Sequence, residues 1–73
     1  MKNEMQIIFE ARKKLGLTQQ QVADKAKILL RQYQKFESGE RKLSSSSFYL
    51  ASMVLQALEL DVTTFANRGY HEN

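Results

Sequence analysis

The chain contains no proline, and its three glycines stand singly at positions 16, 39 and 69. Proline and clustered glycine are the residues that interrupt regular structure. Long stretches here carry neither, and they are rich in Gln, Lys, Leu and Ala, which favour helix. The pattern predicts an all-α protein with isolated stops. A length of 73 residues allows one core only, and one of marginal size. With no cysteine, no disulfide or thiolate-metal site can staple it. Stability must come from packed apolar side chains, alone or with a partner subunit.

No stretch approaches the roughly 20 apolar residues of a membrane span. The opening MKNEMQIIFEARKK has no cleavable signal pattern. A cytoplasmic protein with no membrane contact is expected, which the lack of cysteine fits. Charge is uneven. Residues 1–42 hold ten Lys/Arg against five Asp/Glu, and residues 43–73 hold one against three, so +5 and −2 return the net +3. The basic front can face a polyanion while the apolar back packs or pairs; chance scatter over a small surface is the other reading.

Hydrophobic spacing places a first helix over residues 3–14, with Met5, Ile8, Arg12 and Leu15 on one stripe and Phe9 sealing its edge. Gly16 ends it as a left-handed cap. Thr18 and Gln21 form a capping-box pattern that opens a second helix over 19–26, burying Val22, Ala23 and Ala26. After a tight turn at Lys27–Ile28, a third helix is expected over 29–38. It turns Tyr33, Phe36 and Glu37 to one side and Arg31, Gln34, Lys35 and Ser38 to the other. Residues 40–47 read as a loop whose serine run supplies the next N-cap. A fourth helix over 46–58 is apolar nearly all round. Asp61 opens a short fifth helix through Val62, Phe65 and Ala66. Residues 1–66 make the domain, and 67–73 read as a flexible tail.

Catalysis finds no support. The single histidine is His71 in the tail, no carboxylate pair or Ser/His/Asp set assembles, and the glycines form no phosphate loop. No cofactor, metal or small-molecule ligand is implied. Two short helices joined by a tight turn, the second with a polar outer face, are instead the plan of a helix-turn-helix. A helix of about ten residues fits the major groove and brings its first side chains to base edges.

The run Arg12-Lys13-Lys14-Leu15-Gly16-Leu17-Thr18-Gln19, then Val22-Ala23, Ile28, Tyr33 and Phe36-Glu37-Ser38-Gly39-Glu40-Arg41, resembles the lambda-repressor-like family of Cro-type and XRE-type regulators. The similarity spans about residues 8–65. It implies a compact five-helix domain in which helices two and three form the reading unit on double-stranded DNA. Leu30, Arg31, Gln32 and Lys35 fall at base-facing positions; the helical wheel adds Gln34. Gln19 matches a phosphate-contact position that can brace a base reader. Ser38, Arg41 and Lys42 match backbone-contact positions, and Thr18 and Lys27 join them as phosphate candidates. Each of these polar side chains can equally be a solvated surface group. Matching positions often carry an arginine–glutamate pair between helices one and three, which implies that Arg12 and Glu37, both on inward stripes, pair here.

Three positions depart from the pattern. Lys27 stands where glycine usually makes the turn, Leu29 replaces a Ser or Thr cap, and Glu59 replaces the glycine that commonly ends helix four. A left-handed lysine costs roughly 1 kcal/mol against glycine. Leu29 and Leu30 then form an exposed apolar pair, and Leu30 can meet a thymine methyl. The reading that follows is a DNA-binding transcription regulator, a repressor in its simplest form, acting as a homodimer through Tyr49, Met53, Leu60, Val62 and Phe65. Within one chain, the last helix and a folded-back Tyr70 can instead cover that face. The alternative function is a protein-interaction module on the same scaffold, such as an antitoxin, adaptor or anti-repressor, using Leu29–Leu30 and the fourth helix.

Overall fold

The computed structural model describes residues 3–61 together with Thr63 and Phe65. Its helices are α1 (Glu4–Leu15), α2 (Gln19–Ala26), α3 (Leu30–Ser38) and α4 (Phe48–Ala57), with a 3-10 turn at Leu43–Ser45 between α3 and α4. No strand occurs among the described residues. They contain four α-helices rather than the expected five. Thr63 and Phe65 have helical backbone, and the Phe65 amide donates to the Asp61 carbonyl at 3.0 Å. Val62, Ala66, Tyr70 and the expected tail at 67–73 lie outside the described residues.

Side chains open three of the helices. Asn3 caps α1, and Gln6 returns the bond to the Asn3 amide. In α2 the expected box is formed: Thr18 Oγ1 accepts from the Gln21 amide at 3.1 Å, and Gln21 Oε1 accepts from the Thr18 amide at 2.8 Å. An N-cap of this kind contributes about 1 kcal/mol. Ser47 caps α4 through the Leu50 amide. For α3 only half a box exists. Leu29 offers no acceptor, but Gln32 Oε1 accepts from the Leu29 amide at 2.9 Å.

The helix ends share one device. Gly16, Lys27, Gly39 and Glu59 all adopt the left-handed conformation, with φ of 71°, 63°, 85° and 59°. After three of them, the next amide reaches back five residues: Leu17 to Arg12, Ile28 to Ala23 and Leu60 to Leu55. These bonds satisfy carbonyls that the helix end would otherwise orphan. Gly39 is required twice over, since a Cβ there would also lie 2.7 Å from Met5 Sδ.

The core gathers Ile7, Ile8, Val22, Ala23, Ala26, Tyr33, Phe36, Leu43, Val54, Leu55 and Leu58. Helix α2 packs against both α3 and α4, and α3 packs against α1. Three expectations are corrected here. Phe9 does not seal the α1 stripe; it is exposed, with the Arg12 guanidinium 5.4 Å and the Lys13 ammonium 5.9 Å from its ring centre, and Ile7 takes the inward place. The segment before α4 is more than a loop. Leu43 enters the core, and Glu4 Oε1 accepts from the Leu43 amide at 2.7 Å and the Ser44 amide at 3.4 Å. That 3-10 turn consumes the first serines, so α4 starts at Phe48 rather than at 46.

Candidate nucleic-acid interface

The short turn at residues 27–29 sets α3 across α2 so that Tyr33 and Phe36 point into the core. The helical period then leaves Arg31, Gln32, Gln34, Lys35 and Ser38 exposed. Leu29 is 58% exposed, while Leu30 is only partly so. The expected exposed leucine pair is therefore one exposed leucine and one half-covered, because Leu30 begins the helix and Leu29 lies outside it.

What holds this face in place is a polar cluster beneath it. Arg12 Nε donates to Glu37 Oε2 at 2.6 Å and Arg12 Nη2 to Glu37 Oε1 at 3.1 Å, a two-pronged pair joining α1 to α3. The two side chains are 12% and 6% exposed. Arg12 Nη1 also donates to the Leu17 carbonyl at 3.0 Å, just before α2. Tyr33 Oη donates to Glu37 Oε2 at 2.5 Å, and Gln19 Nε2 donates to Glu37 Oε1 at 2.9 Å. Each carboxylate oxygen thus accepts two bonds, which uses its lone pairs fully. No buried side-chain nitrogen or oxygen among the described residues lacks a partner.

This environment fixes the charge states. Burial pushes the Glu37 carboxyl up, but the hydrogen bonds from Arg12, Tyr33 and Gln19 outweigh it and hold the group below the usual carboxylate range. Hydrogen bonding to Glu37 raises Arg12 further against the opposing effect of burial. Burial, and then the bond to Glu37, pushes the Tyr33 hydroxyl well above the ordinary tyrosine value.

The cluster continues outward. Gln34 Nε2 donates to Gln19 Oε1 at 3.1 Å, so a chain of contacts runs from the Arg12–Glu37 pair to the exposed side of α3. The remaining candidates divide by what they already hold. Among the described residues, Arg31, Lys27, Arg41 and Lys42 are exposed cations without an ion pair. Lys35 lies 4.0 Å from Glu40, an exposed contact worth little. Ser38 Oγ donates to the Lys35 carbonyl and accepts from the Glu40 amide, closing the end of α3. Gln32 spends its oxygen on the Leu29 amide and keeps only its donors for other uses.

Elsewhere on the surface, Tyr49 is 71% exposed, and Met53 and Leu60 are half-buried. Phe65 is 5% exposed and belongs to the core of the single chain, so it presents no surface to a second copy; Val62 lies outside the described residues. Sequence reasoning missed two participants. The helical period sets Tyr33 on the same side as Glu37 but does not reveal that its hydroxyl donates to that carboxylate. Phe48, 79% exposed beside Tyr49, went unremarked within an apolar run.

No helix among the described residues is long and apolar enough to cross a membrane, and no group of three His, Cys, Asp or Glu side chains there can hold a metal. No curated protein and no solved structure matches the chain. Among known families, the one described as helix-turn-helix matches residues 8–62. That stretch is well over half of the chain and contains α2, its turn, α3 and the cluster that braces them, and the protein belongs to the helix-turn-helix family of lambda-repressor-like, XRE-type domains.

Proposed function

We propose that the chain is a sequence-specific, double-stranded DNA-binding transcription regulator of the cytoplasm, acting as a repressor and inserting α3 into the major groove as a homodimer. The observation that carries this reading is the outer face of α3. Arg31, Gln34 and Lys35 stand exposed on a helix whose inner face is pinned to α1 and α2 by a satisfied ionic cluster. Rigid placement of the donors is what base discrimination needs. Arg31 matches the O6 and N7 acceptors of guanine, and Lys35 matches guanine or a phosphate. Leu30 and Gln32 flank them at the start of the helix. Lys27, Arg41 and Lys42 supply cations for the phosphates, with Thr18, Gln19 and Ser38 as polar neighbours. Two copies read half-sites about 34 Å apart, which fixes register on the duplex. Tyr49, Met53 and Leu60 form the self-association face.

Binding to duplexes selected from a random library, titrated across ionic strengths, tests the reading. Affinity is expected to fall steeply as salt rises, since counterions released from phosphate drive the association. Undetectable or salt-insensitive binding would favour the second reading, a protein-interaction module. The exposure of Leu29, Phe48 and Tyr49 is the observation that supports that alternative.

A further inference from the structure

Leu29 is an apolar side chain left in water at the N-terminal end of α3. Its backbone is extended, and it is 58% exposed. Its carbonyl accepts from the Gln32 and Tyr33 amides at 3.0 and 3.1 Å, and its own amide donates to Gln32 Oε1 at 2.9 Å. The backbone polar groups of Leu29 are thus engaged within the first turn, and the side chain adds hydrocarbon alone. The same bond fixes its neighbour. A backbone N–H can only donate, so the Gln32 atom facing it is the carbonyl oxygen, which settles the two ends of that amide. Gln32 is exposed, and its nitrogen keeps two N–H groups that donate to no described residue.

The first turn of α3 therefore sets donors beside an apolar surface, and its one side-chain acceptor between residues 29 and 32 is already engaged. Among the base edges of the major groove, thymine alone carries an acceptor, O4, together with a C5-methyl group. Guanine offers acceptors and no methyl, and adenine and cytosine each bring an amino group that would meet the Gln32 donors. We infer that Leu29 and Gln32 together select thymine within the half-site, Gln32 donating to O4 and Leu29 covering the methyl. Leu30, the neighbour expected to meet that methyl, is only partly exposed. Leu29 stands where a hydroxyl cap is usual, so the selection belongs to this chain's departure from the pattern. The inference rests on the DNA-reading function proposed above.

Single-base changes in a duplex that the wild-type chain selects from a randomised library test it, with affinity read by fluorescence anisotropy. At one thymine, replacement by deoxyuridine removes the methyl and nothing else. It should weaken the wild type about fourfold, the worth of one buried methyl-sized group. Leu29→Ala should bind the thymine and deoxyuridine duplexes alike. Alanine lacks a cap acceptor just as leucine does, and the position is exposed, so this variant is expected to fold, which melting curves followed by circular dichroism verify. Gln32→Glu keeps an oxygen for the Leu29 amide and loses the donors. Its preference at that position should move to cytosine, whose N4 donates, and a C5-methyl on that cytosine should tighten binding about fourfold through Leu29. If no thymine in the selected site responds to loss of its methyl, or if Leu29→Ala responds as the wild type does, the inference is overturned while DNA reading stands. A Gln32→Glu chain that still prefers thymine overturns it as well. A wild-type chain that enriches no sequence removes the DNA-reading function and the inference together.

Discussion

Replacing Glu37 with alanine puts the central cluster to the strongest test. The substitution removes the acceptor of four hydrogen bonds, two from Arg12 and one each from Tyr33 and Gln19. Gln19 is partly exposed and can turn to water, so its loss is small. Tyr33 is fully buried, and a hydroxyl stranded there costs roughly 1–3 kcal/mol. Arg12 keeps only the Leu17 carbonyl for a side chain that is 12% exposed. Breaking one partner out of a buried pair typically costs about 3–5 kcal/mol, and the tyrosine's share overlaps with that figure. Small domains hold about 0.05–0.15 kcal/mol per residue, so the loss is a large part of the total. Urea and thermal unfolding at neutral pH measure it. The expected fall in Tm is on the order of 20 °C. The double variant Arg12→Met, Glu37→Met separates charge from packing, because it leaves no buried ion unpaired, and it should be distinctly more stable than Glu37→Ala. A Glu37→Ala chain within about 0.5 kcal/mol of the wild type would refute the reasoning, since that is the range of substitutions touching nothing important.

The acid limb of stability should depend on the same carboxyl. Its pKa is held low in the folded chain, so its contribution is present above the ordinary carboxylate value of about 4.3 and is lost as pH falls through the folded value. A series of melts below that pH should give a shallower decline for Glu37→Gln, and equal slopes would count against the assignment. Lys27→Gly relieves a left-handed side chain and should stabilise by about 1 kcal/mol, read as a higher urea midpoint; an unchanged or lower midpoint contradicts the strain. Leu43→Ala should cost about 2–5 kcal/mol if the 3-10 turn plugs the core, whereas a near-neutral result would return that segment to an ordinary surface loop.

The parts of the fold that were legible in the sequence are those written in short-range chemistry. Thr18 and Gln21 announce the start of α2, and the bounds Gln19–Ala26 follow to the residue. Gly16 and Gly39 mark their helix ends for the same reason. The serine run at 44–47 was ambiguous because every serine in it is a competent N-cap, and only the insertion of Leu43 decides among them. Gln32 falls at a base-facing position by the family resemblance, and its bond to the Leu29 amide was hidden because Leu29 cannot supply the other half of a capping box. The Arg12–Glu37 pairing came from the family resemblance. That Tyr33 and Gln19 share the carboxylate depends on how three helices meet, which no local pattern encodes. The exposure of Arg31, Gln34 and Lys35 followed from helical period alone.

The left-handed stops also bear on how quickly the chain finds its structure. Helices α1, α2 and α3 are joined by connections of three residues each, at 16–18 and 27–29, so neighbouring helices meet after closing only small loops. Topologies of that kind fold in microseconds to milliseconds. The two ties that cross the longest stretches of chain, Arg12 to Glu37 and Glu4 to Leu43, are expected to close after those local contacts, because their loops are longer. Interactions absent from the transition state act on the unfolding rate. Stopped-flow measurements on Glu37→Ala should therefore show most of its loss as faster unfolding, with the refolding limb little moved. The ionic cluster that braces α3 would then also set the lifetime of the folded state.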